Sequence, residues 1–296
     1  MRCFSFFFVL LHCQVERITM IFVTDKGRMC NNILQYAHLY AWGREHRRST
    51  MSMRFAYKYP YFQISSTRYH NPLVYLLVKV AVALKLIPVV TFQQMGSDYR
   101  EEQNEMLTHR FVFAWGWCVR FFDLFDKYKA EIQQLFAFKK KIVGHCQQVL
   151  AKAPEGTVRL GLHIRRGDYA TWCGGHYFYT DEQYVKVIQH FCEWKSPQKV
   201  HLFICGNDPQ LNRSYYQRVF GEDHVTFPDG NPAEDLCLLS SCDYLIGPPS
   251  TFTLVASLYH DTPLHWITNA NADISEDSFA GFDQRSREFD SLFIPS

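Results

Sequence analysis

Short apolar runs alternate with helical patterns in both halves of this chain, and that alternation constrains its fold more than any other feature. In the first half, residues 20–24 (MIFVT) and 51–57 (MSMRFAY) predict two strands with a helix between them. In the second half, residues 158–164 (VRLGLHI) and 200–206 (VHLFICG) do the same. Because the order strand, helix, strand builds parallel sheets, we predict an α/β protein with two Rossmann-like domains that face each other across a cleft.

The same pattern divides the chain into four segments. Residues 1–19 are predicted to be an N-terminal extension, because their apolar run is too short to span a bilayer and lacks a signal-peptide cleavage site. A short membrane-touching anchor is the alternative. Residues 20–153 and 154–270 form the two domains, joined at the linker sequence APEG. Residues 271–296 are predicted to be a C-terminal tail.

Local signals define three of the predicted helices more closely. The apolar run 72–87 is interrupted by Lys79 and Lys85 and is too short for a membrane span, which favours a buried helix. A single helix is predicted over 126–150. A further helix is expected to begin at Asp181, with that residue as its N-cap.

Charge and cysteine content argue against a nucleic-acid binder and against a disulfide-linked protein. The net charge is only +2, whereas a nucleic-acid binder is expected to be strongly basic on one face. The basic clusters at 44–48 and 139–141 suit solvated helix faces, with weak attraction to anionic lipid as the alternative. The ten cysteines show no Cys-x-x-Cys pair, which favours reduced thiols. We therefore expect a cytoplasmic protein, with peripheral contact to the inner membrane as the alternative.

A cluster of polar residues follows the strand at 158–164. His163, Arg165, Arg166, Gly167 and Asp168 are expected at its carboxyl end, where parallel sheets bind ligands. Paired guanidinium groups match phosphate oxygens and stabilise the charge that develops on a departing diphosphate. An Arg–Asp ion pair that only holds the loop is the alternative. We expect one arginine to face phosphate and the other to pair with Asp168.

Two helix starts in the second half offer further ligand groups. Ser250 and Thr251 lie where a strand gives way to a helix, which predicts an anion site or a plain N-cap. Glu234 and Asp235 begin an earlier helix. Acids there usually complement the helix dipole, but a carboxylate could instead accept hydrogen bonds from guanine.

The first strand-to-helix turn, DKGRMCNN, is a third candidate. Gly27 allows close approach of the backbone to a ligand, and Asn31 or Asn32 offers both a donor and an acceptor. Helix capping by Asn31 is the alternative. The sequence has no Asp-x-Asp pair, no Walker loop and no Gly-x-Ser-x-Gly, which disfavours a metal site and a serine hydrolase.

In this order the motifs resemble the fucosyltransferases that use GDP-fucose, most nearly the α-1,2-fucosyltransferases of glycosyltransferase family 11. The family pattern His-x-Arg-Arg-x-Asp is met in full by the residues from His163 to Asp168, and the resemblance extends over residues 20–267. The first family motif is altered, since Cys30 and Asn32 replace a Gly and a Gln. The chain therefore resembles a distant member.

The resemblance implies a GT-B fold in which the N-terminal domain holds the acceptor and the C-terminal domain binds the GDP-sugar. It implies metal-independent, inverting transfer from GDP-β-fucose, without a cofactor. Arg165, Arg166 and Asp168 would be the catalytic residues, with Asp168 either a general base or a group that orients an arginine. Donor binding would fall to His163, Asp235, Ser250, Thr251, Gly27, Arg28 and Asn31.

The expected partners are GDP-fucose and an oligosaccharide or glycolipid acceptor, without nucleic acid. We expect an α-1,2 linkage made during assembly of a cell-surface polysaccharide or O-antigen. The alternatives are another linkage such as α-1,6, another donor, or a non-catalytic nucleotide- or glycan-binding relative. Loops 56–71 and 171–180 are rich in Tyr and His, which suits core or rim packing or, alternatively, stacking on acceptor sugars.

Overall fold

The computed structural model describes most of the chain, namely residues 19–24, 27–55, 57–94, 96–206 and 208–292. Within these residues the backbone forms two parallel β-sheets, one in each half. This confirms the predicted α/β class. Of the predicted N-terminal extension, all but Thr19 lies outside the described residues.

The first sheet has the strand order β2-β1-β4-β3. Its strands are β1 (Met20–Thr24), β2 (Ser49–Ser52), β3 (Val89–Phe92) and β4 (Phe111–Gly116). Every neighbouring pair is parallel, and Ile21 of β1 is in register with Thr50 on one side and Val112 on the other. Strand β2 is shorter than the predicted strand at 51–57 and begins two residues earlier.

The second sheet has the order β7-β6-β5-β8-β9 and is also parallel throughout. Its strands are β5 (Val158–Ile164), β6 (Val200–Gly206), β7 (Val225–Thr226), β8 (Tyr244–Gly247) and β9 (Leu264–Trp266). The central strand is β5, whose last five residues are buried. Whatever follows Ile164 therefore emerges at the middle of the sheet's carboxyl edge.

Eleven α-helices lie within the described residues. They are α1 (Met29–Glu45), α2 (Pro72–Ala83), α3 (Arg100–Thr108), α4 (Phe122–Lys127), α5 (Lys129–Leu135), α6 (Lys140–Leu150), α7 (Asp181–Lys195), α8 (Arg213–Phe220), α9 (Pro232–Ser240), α10 (Thr251–His260) and α11 (Phe282–Phe289). None of these helices is long and apolar enough to cross a membrane.

Helix α1 is the structural centre of the first half. All but three of its 17 residues are buried, because it packs against β1 and β2 on one side and against α10 of the second half on the other. Two of its buried polar groups bond to neighbouring elements: the Tyr36 hydroxyl lies 3.1 Å from Thr50 Oγ1, and Trp42 Nε1 donates to Gln103 Oε1 at 2.9 Å. A helix that is buried on almost all sides needs such a double interface.

The prediction that residues 72–87 form a buried helix is wrong about burial. Helix α2 forms there, but Val78 is its one buried residue, packed with Phe22 and Met51 on the sheet. No described element covers its outer side, where Leu73 is 72% and Leu77 70% exposed. Apolar composition predicted the helix correctly, but it carries no information about whether a further layer of structure covers it.

The single helix predicted over 126–150 is in fact divided. Helices α4, α5 and α6 share this region, and Phe138, between α5 and α6, pairs with Phe62 in an isolated β-bridge. Helix α6 packs against α9 of the second half, where Cys146 Sγ approaches Ser241 Oγ to 3.8 Å.

The predicted N-cap of α7, Asp181, is also wrong by one residue. Thr180 caps the helix instead: its Oγ1 accepts the Gln183 N–H at 3.3 Å, and Gln183 Oε1 accepts the Thr180 N–H at 2.9 Å. This reciprocal capping box satisfies two backbone donors at once, which a single Asp cap cannot do.

Residues 271–292, predicted as part of a C-terminal tail, contain α11 and return to the first half. The Phe282 ring stacks on that of Phe125, with centroids 5.3 Å apart. The side chains of Arg120 and Asp290 form an ion pair at 3.2 Å, and both are almost fully buried. Residues 271–292 thereby contact both domains.

Candidate functional site

A cavity of about 780 Å³ lies between the two halves, at the carboxyl ends of strands from both sheets. Nine of the ten predicted site residues line it, namely Gly27, Arg28, Asn31, His163, Arg165, Asp168, Asp235, Ser250 and Thr251. Parallel sheets place ligands at this edge because the loops that follow each strand meet there. The tenth predicted site residue, Arg166, does not line the cavity.

His163, near the end of β5, forms part of the cavity floor. The residue is 5% exposed, and its imidazole stacks on the Phe252 ring, with centroids 4.6 Å apart. Burial, assisted by the nearby Arg165 charge, lowers the pKa of His163 to about 3. The ring is therefore neutral at physiological pH. Its Nδ1 has no hydrogen-bond partner among the described residues, so it can donate to or accept from a ligand.

Arg165 lines the cavity just above His163. Its Nη2 donates to Asp168 Oδ2 at 2.8 Å, and its guanidinium lies 5.2 Å from the centre of the Tyr169 ring. Its side chain is only 15% exposed, whereas Asp168 is half exposed. On its other side Asp168 Oδ1 lies 3.7 Å from Arg28 Nη2, which belongs to the first half of the chain. The charged groups of Arg165, Asp168 and Arg28 thus form a row from one side of the cleft to the other.

The prediction that one arginine faces the ligand and the other pairs with Asp168 is wrong. Arg165 both lines the cavity and pairs with Asp168, whereas Arg166 does neither. The backbone at Arg166 is extended, so its side chain leaves on the side opposite that of Arg165. There its guanidinium pairs with Asp181 at 2.6 Å and Asp208 at 2.8 Å. The predicted catalytic residue Arg166 therefore lies behind the cavity wall.

Asp235, in the first turn of α9, lines another part of the cavity. Its Oδ1 has no hydrogen-bond partner among the described residues. Burial raises the pKa of Asp235 to about 7, more than the hydrogen bond from Cys205 lowers it. The neighbouring Glu234 is used differently, since its Oε2 accepts the Asn231 N–H at 2.9 Å and completes a capping box. Of the two acids, Asp235 is the one that can bind a ligand.

The N-terminus of α10 opens onto the same cavity. Ser250 is its N-cap, with Oγ accepting the Thr253 N–H at 3.2 Å, so the capping interpretation of this residue is confirmed. Thr251 Oγ1 instead donates to Asn31 Oδ1 at 2.5 Å, across the cleft. The first-turn N–H groups of a helix and its dipole together attract anions.

The turn between β1 and α1 forms the facing wall. Asn32 Nδ2 donates to Gly27 O at 3.2 Å and Arg28 O at 2.9 Å, which holds the turn in shape. Asn31 does not cap α1; Arg28 occupies the N-cap position without a side-chain hydrogen bond. The Asn31 side chain is thus available to meet Thr251. Asp25 and Lys26 of this turn lie outside the described residues.

Aromatic side chains complete the cavity. Tyr59 and Tyr61 come from the predicted aromatic loop 56–71, and Trp172 comes from the loop 171–180. Sequence reasoning missed Trp117 and Phe289, which also line it. Trp117 directly follows the carboxyl end of β4, and this position in the sequence could have predicted that it lines the cavity. Phe289 has no comparable signal, because only the return of α11 brings it here.

The described part of the chain contains no group of three or more His, Cys, Asp or Glu side chains that could hold a metal ion. Its cysteines are free thiols.

The sequence model of glycosyl transferase family 11 matches residues 4–284. Among characterised proteins, the chain is 25% identical over 265 residues to a galactoside 2-alpha-L-fucosyltransferase, SEC1, of Bos taurus, covering 84% of this chain and 67% of that one. It is 24% identical over 266 residues to galactoside alpha-(1,2)-fucosyltransferase 2 of Rattus norvegicus, covering 83% and 68%. The chain thus spans about two thirds of the length of these relatives.

Solved structures share the fold at low identity. FUT1 of Arabidopsis thaliana, in complex with GDP, superposes with a TM-score of 0.61 at 12% identity, covering 89% of this chain and 73% of that one. The alpha-1,6-fucosyltransferase NodZ, soaked with GDP-fucose, gives a TM-score of 0.54 at 13% identity, covering 86% and 96%. These likenesses confirm the predicted GT-B arrangement. Since the family model spans nearly the whole chain, the protein belongs to glycosyl transferase family 11 and is a glycosyltransferase.

Proposed function

We propose that the protein transfers fucose from GDP-β-fucose to a hydroxyl of a galactoside-type glycan, with inversion and without a metal ion. The observation that carries the proposal is the convergence of Arg165, Asp235 and the N-terminus of α10 on one cavity. The cation and the helix N-terminus complement the charge of a diphosphate, and the carboxylate complements the hydrogen-bond donors of guanine. The names of the relatives, and the GDP in the FUT1 structure, support the same donor.

In this proposal Asp235 accepts hydrogen bonds from the guanine N1–H and its exocyclic amine. Its carboxylate suits that role because its Oδ1 is buried without a partner among the described residues. Arg165 and the first turn of α10 hold the diphosphate, with Arg28 and Asn31 closing over it from the other domain. His163, neutral and facing the cavity, lies beside the donor sugar.

The reaction moves one glycosyl group. The bond between the fucose C1 and the β-phosphate oxygen breaks, and its electron pair goes to the phosphate. The acceptor oxygen bonds to C1 from the opposite face, and its hydroxyl proton is released to solvent with GDP. Arg165 stabilises the charge on the departing phosphate without reorganisation, because Asp168 and Tyr169 already fix its guanidinium.

Asp168 is assigned as the group that orients Arg165 rather than as a general base. Its two oxygens face two guanidinium groups, at 2.8 Å from Arg165 and 3.7 Å from Arg28, so its contacts are with the arginines that line the cavity. Arg166 is a positioning residue, because its ion pairs join the loop after β5 to Asp181 at the start of α7 and to Asp208.

The acceptor is proposed to bind against the aromatic part of the cavity. Tyr59, Tyr61 and Trp117 lie on the N-terminal side, and Trp172 faces them from the other domain. Aromatic rings stack well on the apolar faces of sugars. We propose an α-1,2 linkage within a cell-surface polysaccharide or O-antigen, made by an enzyme that works in the cytoplasm.

The test is incubation of the purified protein with GDP-fucose and lactose in EDTA. Release of GDP and an α-1,2 linkage identified by NMR are expected. Arg165→Ala should lower turnover by about 10²–10³-fold, while Arg213→Ala, an exposed arginine paired with Asp229, should leave it unchanged. Nucleotide binding by the wild type without transfer to any glycan would contradict the enzymatic proposal and favour a binding protein. An α-1,6 product would overturn the proposed linkage but not the proposed fucosyl transfer.

A further inference from the structure

The outer side of α2 is an apolar surface without a partner among the described residues. Leu73, Leu76, Leu77, Val80 and Leu84 follow one another at helical spacing and are 57–72% exposed. We call these five residues the α2 face. Leu86 and Val89 extend it beyond the helix. A monomeric soluble protein rarely exposes so continuous an apolar row, which marks a surface of interaction.

The charged residues of the sequence segment that contains α2 are of one sign. Residues 46–97 contain seven Lys or Arg and no Asp or Glu. Lys79 and Lys85 are exposed on and just after α2. The acidic helix α3 lies on the other side of the sheet, beside α1, where Gln103 bonds to Trp42. Exposed lysines on and beside an apolar helix face complement anionic headgroups above hydrocarbon.

The α2 face is connected to the cavity. The Tyr75 ring of α2 lies 4.8 Å from the Tyr57 ring, and the Tyr57 hydroxyl accepts a hydrogen bond from Arg54 at 3.2 Å. The next residues along the chain, Lys58 and Tyr59, line the cavity on its acceptor side. A surface bound to α2 would therefore lie close to the acceptor entrance.

We propose that the α2 face, together with Lys79 and Lys85, docks the protein on an anionic lipid bilayer. The leucines enter the interface between headgroups and acyl chains, and Lys79 and Lys85 pair with lipid phosphates. The helix lies in the plane of the bilayer and does not cross it. This arrangement would present the acceptor entrance to glycans that are held at a membrane.

The test is co-sedimentation of the full chain with vesicles of phosphatidylcholine and phosphatidylglycerol in equal parts, compared with vesicles of phosphatidylcholine alone. The wild type should sediment with the anionic vesicles and much less with the neutral ones. Leu76→Asp/Leu77→Asp should lower the vesicle partition coefficient at least about tenfold. Lys79→Glu/Lys85→Glu should lower binding to anionic vesicles by about as much.

The control variants carry the same kinds of substitution at exposed positions away from the α2 face. Val219→Asp alters an exposed apolar residue on α8, and Lys140→Glu/Lys141→Glu alters an exposed basic pair on α6. Both should bind vesicles as the wild type does, and every variant should keep its activity on a soluble acceptor. No binding of the full chain to either vesicle would overturn the proposal. So would a stable dimer in sedimentation velocity that Leu76→Asp/Leu77→Asp dissociates, because the α2 face would then bind a second copy.

Discussion

The role proposed for Asp235 requires that GDP affinity depend on pH in a particular direction. A carboxylate accepts hydrogen bonds from the two guanine donors, whereas a protonated carboxyl would present a hydrogen toward one of them. Because the pKa of Asp235 is raised to about 7 in the unliganded protein, GDP must bind the ionised fraction. Affinity should therefore rise as the pH increases through 7 and level off above it.

The magnitude follows from the ionised fraction. With a pKa of about 7, the carboxyl is roughly nine-tenths ionised at pH 8 and about one-tenth ionised at pH 6. The dissociation constant should thus increase by about tenfold between pH 8 and pH 6, or about 1.4 kcal/mol. His163 does not contribute over this range, because its pKa is lowered to about 3.

Isothermal titration calorimetry of the wild type and Asp235→Asn at both pH values provides the measurement. The variant should bind GDP about 10- to 150-fold more weakly at pH 8, from the loss of about 1.5–3 kcal/mol of charged hydrogen bonding. The phosphate of GDP titrates near pH 6 itself, so the decisive quantity is the difference between the two proteins. Asp229→Asn, at an exposed site, is the control. Equal pH dependence in wild type and Asp235→Asn would refute the assignment.

Three further predictions concern the contacts that position the site. Arg166→Met should lower the free energy of unfolding by about 3–5 kcal/mol in urea titration, since it leaves two nearly buried aspartates unpaired; an unchanged midpoint would contradict this. Arg120→Met leaves Asp290 buried without its cation. It should also lower the free energy of unfolding by about 3–5 kcal/mol, and with it the midpoint of thermal unfolding. Thr251→Val removes the hydrogen bond to Asn31 across the cleft, and should speed amide hydrogen exchange at the start of α1 without a large change in global stability.

Much of the second half could be predicted from sequence because its local signals agree with one another. The predicted strand at 158–164 matches β5, and α10 begins at Thr251 as expected, since Ser250 is a favourable N-cap directly after a strand. Parallel strands bring their carboxyl ends to one edge. The meeting of His163, Arg165 and Asp235 in one cavity therefore follows from topology alone.

Other features depend on tertiary context that a local pattern does not contain. Two adjacent arginines look alike in sequence, but only the backbone at Arg166 decides which one turns away from the cavity. The apolar residues of α2 indicate a helix, yet whether Leu77 is covered depends on the presence of another layer. Phe289 joins the cavity because α11 folds back onto the first half, a long-range contact.

The central claim is that the cavity is a metal-independent site for a guanosine diphosphate sugar. The most direct measurement is calorimetric titration of the wild-type protein with GDP, ADP and UDP in the presence of EDTA. Asp235, Arg165 and the N-terminus of α10 together predict that GDP binds selectively under these conditions. Equal binding of all three nucleotides, or binding of GDP only after a divalent metal is restored, would contradict the account.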